Sequence, residues 1–243
     1  MNQGRNLPLV LPLDLSVREL QDELMDDPRL GPREHLRALE ALAVVNRLSF
    51  TAGRVWREVR RQGGSNTPLR VLDVACGGGD TVRALKRRAD REGVPLEVHG
   101  CDVSPTAVAH ARERARREKT EVHFFELDAV RSPLPNGYDL VCSSLFLHHL
   151  TEEQVVEVMA RMAEAGNALV LQDLLRSRMG YWLAWWTLRL VSRSRVAHVD
   201  GPRSVQASFR IPEVAALARR AGLDGARIVR CWPQRFTLYW RRI

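Results

Sequence analysis

The run Val71-Leu72-Asp73-Val74-Ala75-Cys76-Gly77-Gly78-Gly79-Asp80-Thr81 closes an apolar strand with three glycines and then passes into a helical pattern. Glycine at such a turn permits backbone angles and a close ligand approach that a Cβ would block. A small ligand is therefore expected against this loop. A nucleoside triphosphate loop would end in Gly-Lys-Ser or Gly-Lys-Thr, whereas this one continues as Asp80-Thr81. A dinucleotide fingerprint laid over Gly77 and Gly79 puts Val82 where a third glycine must let the helix pack. Asp102, closing a second apolar run, can accept both hydroxyls of a ribose. In Glu126-Leu127-Asp128-Ala129, Asp128 can accept from an adenine amino group while Leu127 and Ala129 pack on the ring. Asp73 would repel a pyrophosphate but suits a ligand carrying an ammonium and a sulfonium.

A second set of residues offers proton chemistry. Ser143-Ser144-Leu145-Phe146-Leu147-His148-His149-Leu150 follows the fourth expected strand. Histidine, with an unperturbed pKa of about 6.5, can take a proton near neutrality. His149 is the preferred base and His148 the alternative. Two histidines without a matched third ligand predict no metal. Asp173, leaving the fifth strand, is a pocket candidate. The stretch Met179 to Val191 holds three of the six tryptophans, and Trp182 and Trp186 are expected to wall an apolar acceptor. Arg189, His198 and Arg203 behind it could hold an acidic or phenolate acceptor. The same aromatic and basic pattern also fits transient contact with a membrane surface or a solvated basic face.

These residues require a particular frame. Short apolar runs at Leu69 to Ala75, Leu96 to Cys101, Val122 to Glu126, Tyr138 to Cys142 and Ala168 to Leu171 alternate with helical patterns at Asp80 to Arg91, Pro105 to Arg117 and Glu152 to Ala163. Such alternation predicts an α/β sheet with helices on both faces. Ser104 and Thr151 are expected helix caps, the latter in a capping box with Gln154. A last helix, Pro212 to Ala221, precedes a hairpin of Ala226 to Cys231 and Phe236 to Trp240 that turns at Pro233 and Gln234. Upstream, helices are expected at Ser16 to Asp26 and, with a bend, Pro32 to Arg61. Residues 63 to 68 read as a hinge. The expected organisation is an N-terminal helical extension (1–62) and one main domain (63–243) with a hydrophobic helical insertion at about 176–204.

The 243 residues are 45% hydrophobic and 27% charged, an ordinary balance for a folded protein. Four scattered cysteines form no Cys-x-x-Cys pair, which points to a reducing, cytoplasmic setting. The first residues lack the pattern of a secretory signal, and no apolar run is long enough to span a bilayer. The net charge of +8 is unevenly placed. Residues 1–62 carry 10 basic against 9 acidic side chains, 63–173 carry 13 against 17, and 174–243 carry 14 against 3. That C-terminal excess keeps an RNA substrate open, but no separate binding module is evident. Enzymes that methylate flipped DNA bases carry an Asn or Asp, two prolines and an aromatic after the fourth strand; here the place reads Cys142-Ser143-Ser144-Leu145.

The ordered series Asp73-x-x-Cys76-Gly77-x-Gly79, Asp102, Asp128-Ala129 and Tyr138-Asp139-Leu140-Val141-Cys142-Ser143 resembles the class I S-adenosylmethionine-dependent methyltransferases over residues 69 to 243. The resemblance implies a Rossmann-like sheet of seven mostly parallel strands, the last antiparallel. It also implies that the glycine loop meets the methionyl part of the cofactor, Asp102 the ribose and Asp128 the adenine. The implied cofactor site comprises Asp73, Ala75, Cys76, Gly77, Gly79, Thr81, Asp102, Val103, Leu127, Asp128, Ala129 and Ser143. More loosely, the His-His segment and aromatic helix are similar to small-molecule methyltransferases acting on quinone, phenolic or polyketide acceptors. The implied reaction moves a methyl group to an oxygen or activated carbon of a small hydrophobic acceptor, leaving S-adenosylhomocysteine. The alternatives are an RNA methyltransferase and a non-catalytic cofactor-binding protein.

Overall fold

The computed structural model describes residues 14–27, 29–62 and 67–242. Residue 28, most of the expected hinge (63–66) and the start of the chain (1–13) lie outside the described residues. Seven strands form one sheet: β1 (Leu69–Val74), β2 (Leu96–Asp102), β3 (His123–Glu126), β4 (Leu140–Ser144), β5 (Ala168–Leu174), β6 (Arg227–Cys231) and β7 (Arg235–Arg241). Their order is β3-β2-β1-β4-β5-β7-β6. The first five run parallel, and β7 is antiparallel to both β5 and β6. The family's expected sheet is thus present.

Alternation along β1 explains the layering, because successive side chains leave a strand on opposite faces. Leu72 and Val74 join a core with Val141, Leu169, Leu171, Met159 and Phe236. Val71 joins the other core with Val98, Leu140, Val170, Val82 and Trp56. Helix α2 (Thr51–Gln62), with α3 (Asp80–Glu92) and α4 (Pro105–Arg117), covers this second face. Helices α5 (Glu152–Ala165) and α8 (Ile211–Arg220) cover the first. Ser104 Oγ accepts from the Ala107 amide, and Thr151 and Gln154 form the expected capping box.

Before the sheet stands α1 (Pro32–Leu48), and between β5 and α8 lie α6 (Arg178–Val191) and α7 (Arg195–Ala207). No described helix is long and apolar enough to cross a membrane.

Several expected bounds are corrected. Ser16 to Asp26 is not one helix: only Leu24–Asp26 forms a 3-10 turn. The amides of Leu24 and Met25 are taken by the Asp200 carboxylate and that of Glu19 by the Gln206 carbonyl, so tertiary partners replace a helical ladder. The expected long helix is interrupted at Phe50, whose φ of 54° no α-helix accommodates. Strand β4 starts at Leu140 rather than Tyr138, because Asp139 bonds both ways with the Arg70 backbone and Tyr138 makes only an isolated bridge to Gly166. Strand β5 continues to Leu174, since β7 pairs with it from Ala168↔Arg241 to Leu174↔Arg235.

Candidate cofactor and acceptor site

The carboxyl ends of β1, β2 and β3 converge through a few bonds. Ala75, Gly77 and Gly79 take positive φ of 55°, 50° and 69°, which forms the tight turn into α3. A Cβ on Gly79 would sit 2.5 Å from Phe124, so glycine is required there by space as well as by φ. Asp102 binds this loop to the next turn: its Oδ2 accepts the Gly77 amide at 2.8 Å and its Oδ1 the Ser104 amide at 2.9 Å. Each oxygen retains capacity for another donor. Burial pushes the Asp102 carboxyl up against the pull of those two amides. The Leu127 amide donates to the Asp102 carbonyl, which brings β3's exit alongside. Asp73 is fully buried beside Cys142 Sγ at 3.5 Å. Burial, with Asp80 and Asp102 nearby, raises its carboxyl to about 8.

Around the fourth strand end, the geometry is ionic. A 3-10 turn, Leu147–His149, carries both histidines. His148 is 3% exposed, with Nδ1 2.7 Å from Asp173 Oδ1 and Nε2 3.4 Å from Glu23 Oε1. Its amide donates to Asp173 Oδ2 at 3.0 Å. Burial alone would lower its pKa, yet the charges and bonds of Asp173 and Glu23 raise it to about 10. His148 is therefore an imidazolium at neutral pH, unsuited to accept a proton. His149 is less buried; its Nδ1 lies 3.2 Å from Asp26 Oδ2 and its Nε2 3.8 Å from Glu23 Oε2. Glu23, His148 and His149 place three ligand-type atoms within 4.8 Å of one another, the donor set among the described residues best able to hold a metal ion. Protons on the imidazole already balance Glu23, whose carboxyl, despite burial, is held at about 2 by His148, His149 and Ser204.

Residues Asp14 to Asp27 reach this cluster as a strap. Arg18 donates to the carbonyls of His148, Leu150 and Ala207 and lies 3.9 Å over the Phe209 ring. Beside it, α6, α7, α1 and the β6–β7 turn enclose an apolar cavity of about 90 Å³. That is several times the roughly 10–15 Å³ one water needs. Leu145, His148, Leu174, Leu183, Leu188 and Arg235 are among its walls.

Comparison with known proteins decides what such a frame is. Residues 71–167 match the model of a family described as a methyltransferase domain. A demethylmenaquinone methyltransferase of Deinococcus radiodurans is 33% identical over 187 residues, covering 72% of this chain and 76% of the relative. The chain belongs to the class I S-adenosylmethionine-dependent methyltransferases. A ubiquinone biosynthesis O-methyltransferase of Methylococcus capsulatus is 28% identical, with 64% of this chain and 63% of that relative covered. The crystal structure of magnesium protoporphyrin IX methyltransferase from Synechocystis PCC 6803 with bound S-adenosylhomocysteine superposes with a TM-score of 0.58 at 17% identity, over 80% of this chain and 83% of that one. The cofactor of this methyltransferase is S-adenosylmethionine.

Within the methyltransferase frame, the expected cofactor residues fall into two groups. Asp73, Cys76, Gly77, Gly79, Asp102 and Leu127 meet at paired strand ends, with Ala75 in the same turn. Other side chains have internal work. Ser143 Oγ donates to the Val74 carbonyl, Asp128 Oδ1 accepts the Val130 and Arg131 amides, and Thr81 and Ala129 are buried. Val103 is exposed.

On the acceptor side, Asp173 orients His148, but the tryptophans face outward: Trp182 is 47% and Trp186 58% exposed. The reason is helical phase, since Gly180, Leu183, Ala184, Thr187 and Leu188 of α6 line the cavity and leave 182 and 186 on the far side. Arg189 stacks on Trp185, His198 Nε2 bonds the Leu188 and Ser192 carbonyls at the end of α6, and Arg203 bonds the Asp22 carbonyl. Glu23 and Arg235 are functional candidates that periodicity and motif order could not expose. Ser144 Oγ and Gln172 Oε1, buried without a hydrogen-bond partner, were equally hidden.

Proposed function

We propose that this methyltransferase passes the methyl group of S-adenosylmethionine to an oxygen or activated carbon of a small hydrophobic acceptor, of phenol, quinol or polyketide type, held in the cavity beneath α6. One observation carries the reading. The cavity wall includes Leu145 and His148, which follow β4, the strand paired with the glycine-loop strand through Asp73↔Cys142 and Val74↔Ser143. A sulfonium methyl needs an aligned nucleophile and exclusion of water more than covalent help. An apolar enclosure next to the cofactor strands supplies both. The quinone-pathway relatives lend the acceptor class its support.

In this reading, Asp102 holds the ribose, Leu127, Asp128 and Ala129 the adenine, and the glycine loop, with Asp73, Ala75, Cys76, Thr81, Val103 and Ser143, the rest of the cofactor. His149 is the general base and His148, fixed by Asp173, positions the turn that carries it. The unit of function is the domain 63–243 with its insertion at about 176–204, preceded in sequence by the N-terminal helical extension 1–62.

The outward stripe Met179, Trp182, Trp186 and Leu190 supports peripheral contact with a lipid surface on the cytoplasmic side. Residues 174–199 contain no acidic side chain and four exposed arginines, Arg178, Arg189, Arg193 and Arg195, which suits anionic headgroups. The experiment is transfer from labelled cofactor to a panel of phenols, quinols and polyketide-like acids, with mass spectrometry locating the label. Transfer to RNA alone, or to nothing, would overturn the reading.

A further inference from the structure

Four buried cationic side chains can be compared by how their charge is met. Arg176 donates to the Leu15 and Ser208 carbonyls and to both carboxylate oxygens of Glu213. Arg83 donates to the Glu118 carboxylate and the Gly78 carbonyl. His148 stands between Asp173 and Glu23. Arg235 differs from all three.

Arg235 is 1% exposed and sits at the first position of β7, directly after the cis Trp232-Pro233 peptide and Gln234. Its Nη1 donates only to neutral oxygens, Thr51 Oγ1 at 3.2 Å and Asn46 Oδ1 at 3.4 Å. Its Nε and Nη2 are buried with no hydrogen-bond partner. Among the described residues no carboxylate lies within ion-pair distance of it. Burial lowers its pKa to about 10 against the pull of Asp173 and Asp80, whose carboxylates act on it from beyond ion-pair distance, so the guanidinium remains charged at neutral pH. A buried charge left without a partner is strongly unfavourable, and each such group in a native fold calls for a cause.

The cavity supplies that cause. Arg235 is part of its wall, among Leu42, Val45, Leu174, Leu183 and Leu188. The unpartnered nitrogens are Nε and Nη2, which form one edge of the planar guanidinium with two parallel N–H groups; both are buried, so a ligand in the cavity reaches them as neighbouring wall side chains shift. That edge matches the two oxygens of a carboxylate, the planar anion for which arginine is best shaped.

We propose that Arg235 binds a carboxylate carried into the cavity by the methyl acceptor, so that the acceptor is an apolar acid anchored at one end and methylated at another. The inference rests on the cavity being the acceptor site. It moves the electrostatic hold from Arg189 and Arg203, which lie outside the cavity wall, to an arginine that lies in it. A carboxylate also ends the methionyl part of the cofactor, so the test separates the two sources.

Binding of para-hydroxybenzoate and of phenol is measured by calorimetry in the presence of S-adenosylhomocysteine, alongside binding of S-adenosylhomocysteine itself. The native protein is expected to prefer the hydroxybenzoate by at least about tenfold, the scale of hydrogen bonds to a charged group. Arg235→Met should abolish that preference, leave phenol binding and cofactor affinity unchanged, and not lower the melting temperature of the free protein, because an unpaired charge is removed. Arg235→Lys, with the charge but not the fork, should recover only part of the preference. Equal binding of the two probes by the native protein overturns the inference alone. So does a loss confined to S-adenosylhomocysteine affinity in Arg235→Met, which would give the carboxylate to the cofactor. Failure of the native protein to bind either probe overturns both the inference and the placement of the acceptor.

Discussion

Asp102 Oδ2 accepts the Gly77 amide at 2.8 Å, and this single bond ties the glycine turn of β1 to the exit of β2. The residue proposed to hold the ribose thereby also shapes the loop proposed to meet the methionyl end. Asp102→Ala should weaken S-adenosylhomocysteine binding by at least about 100-fold, roughly 3 kcal/mol for lost charged hydrogen bonds. Asp102→Asn keeps an oxygen for the Gly77 amide but not the charge, and should fall between. Calorimetry on the folded variants checks this order; an alanine variant that binds as well as the native protein contradicts it.

The His148 cluster makes stability depend on pH, with a sign fixed by the direction of each shift. His148 is raised from 6.5 to about 10, so the native state holds a proton that the unfolded chain releases above pH 6.5. Its contribution is full below about pH 6.5 and is lost as pH rises toward 10. Glu23 is lowered from 4.5 to about 2, so its contribution is present above pH 4.5 and fades as pH falls toward 2. His148→Gln should destabilise the protein by about 3 kcal/mol near neutrality, the scale for breaking a buried ion pair. Melting curves of the variant and the native protein should converge near pH 10. A constant gap across that range would show that packing, not charge, makes the difference.

His149→Ala should lower turnover on the order of 100- to 10,000-fold, the usual contribution of a general base. Cofactor affinity should be retained, because no strand-end bond involves this side chain. The discriminating measurement is chemical rescue: imidazole added to the variant should restore part of the lost turnover. A variant as active as the native protein assigns proton removal elsewhere.

Replacing Trp182, Trp186 and Leu190 together with serine should reduce binding to anionic phospholipid vesicles by at least about tenfold, since a whole aromatic side chain buries on the order of 150–250 Å² and about half of each tryptophan is exposed. Turnover on a water-soluble acceptor should be preserved, because the opposite face of α6 lines the cavity. Vesicle flotation with neutral and anionic lipid reads this directly, and equal binding by both proteins would remove lipid contact from the account.

Much of the frame was legible because it is local. Strand periodicity, the caps Ser104 and Thr151, and the glycine turn each follow from a few consecutive residues. The order of Asp73, Asp102 and Asp128 added the cofactor. The acceptor side was less legible because its determinants are distant in sequence. Nothing near Ser16 to Asp26 says that Asp200 will take the Leu24 and Met25 amides and unwind the expected helix. Helical phase decided the tryptophans: thirteen residues of apolar and aromatic composition from Met179 to Val191 do not say which side faces the cavity. Arg235 looked like one more member of a basic tail until β7 carried it beside Leu174.

That placement of β7 has a temporal side. The strand lies between β5 and β6, yet it is synthesised after both. Strands β1 to β4, with every proposed contact to the cofactor, are synthesised earlier and can associate while the chain is still being extended. The guanidinium at the cavity and the antiparallel partner of β5 are synthesised after them. A nascent chain would thus make the strands proposed to bind the nucleoside before the arginine proposed to select a second molecule.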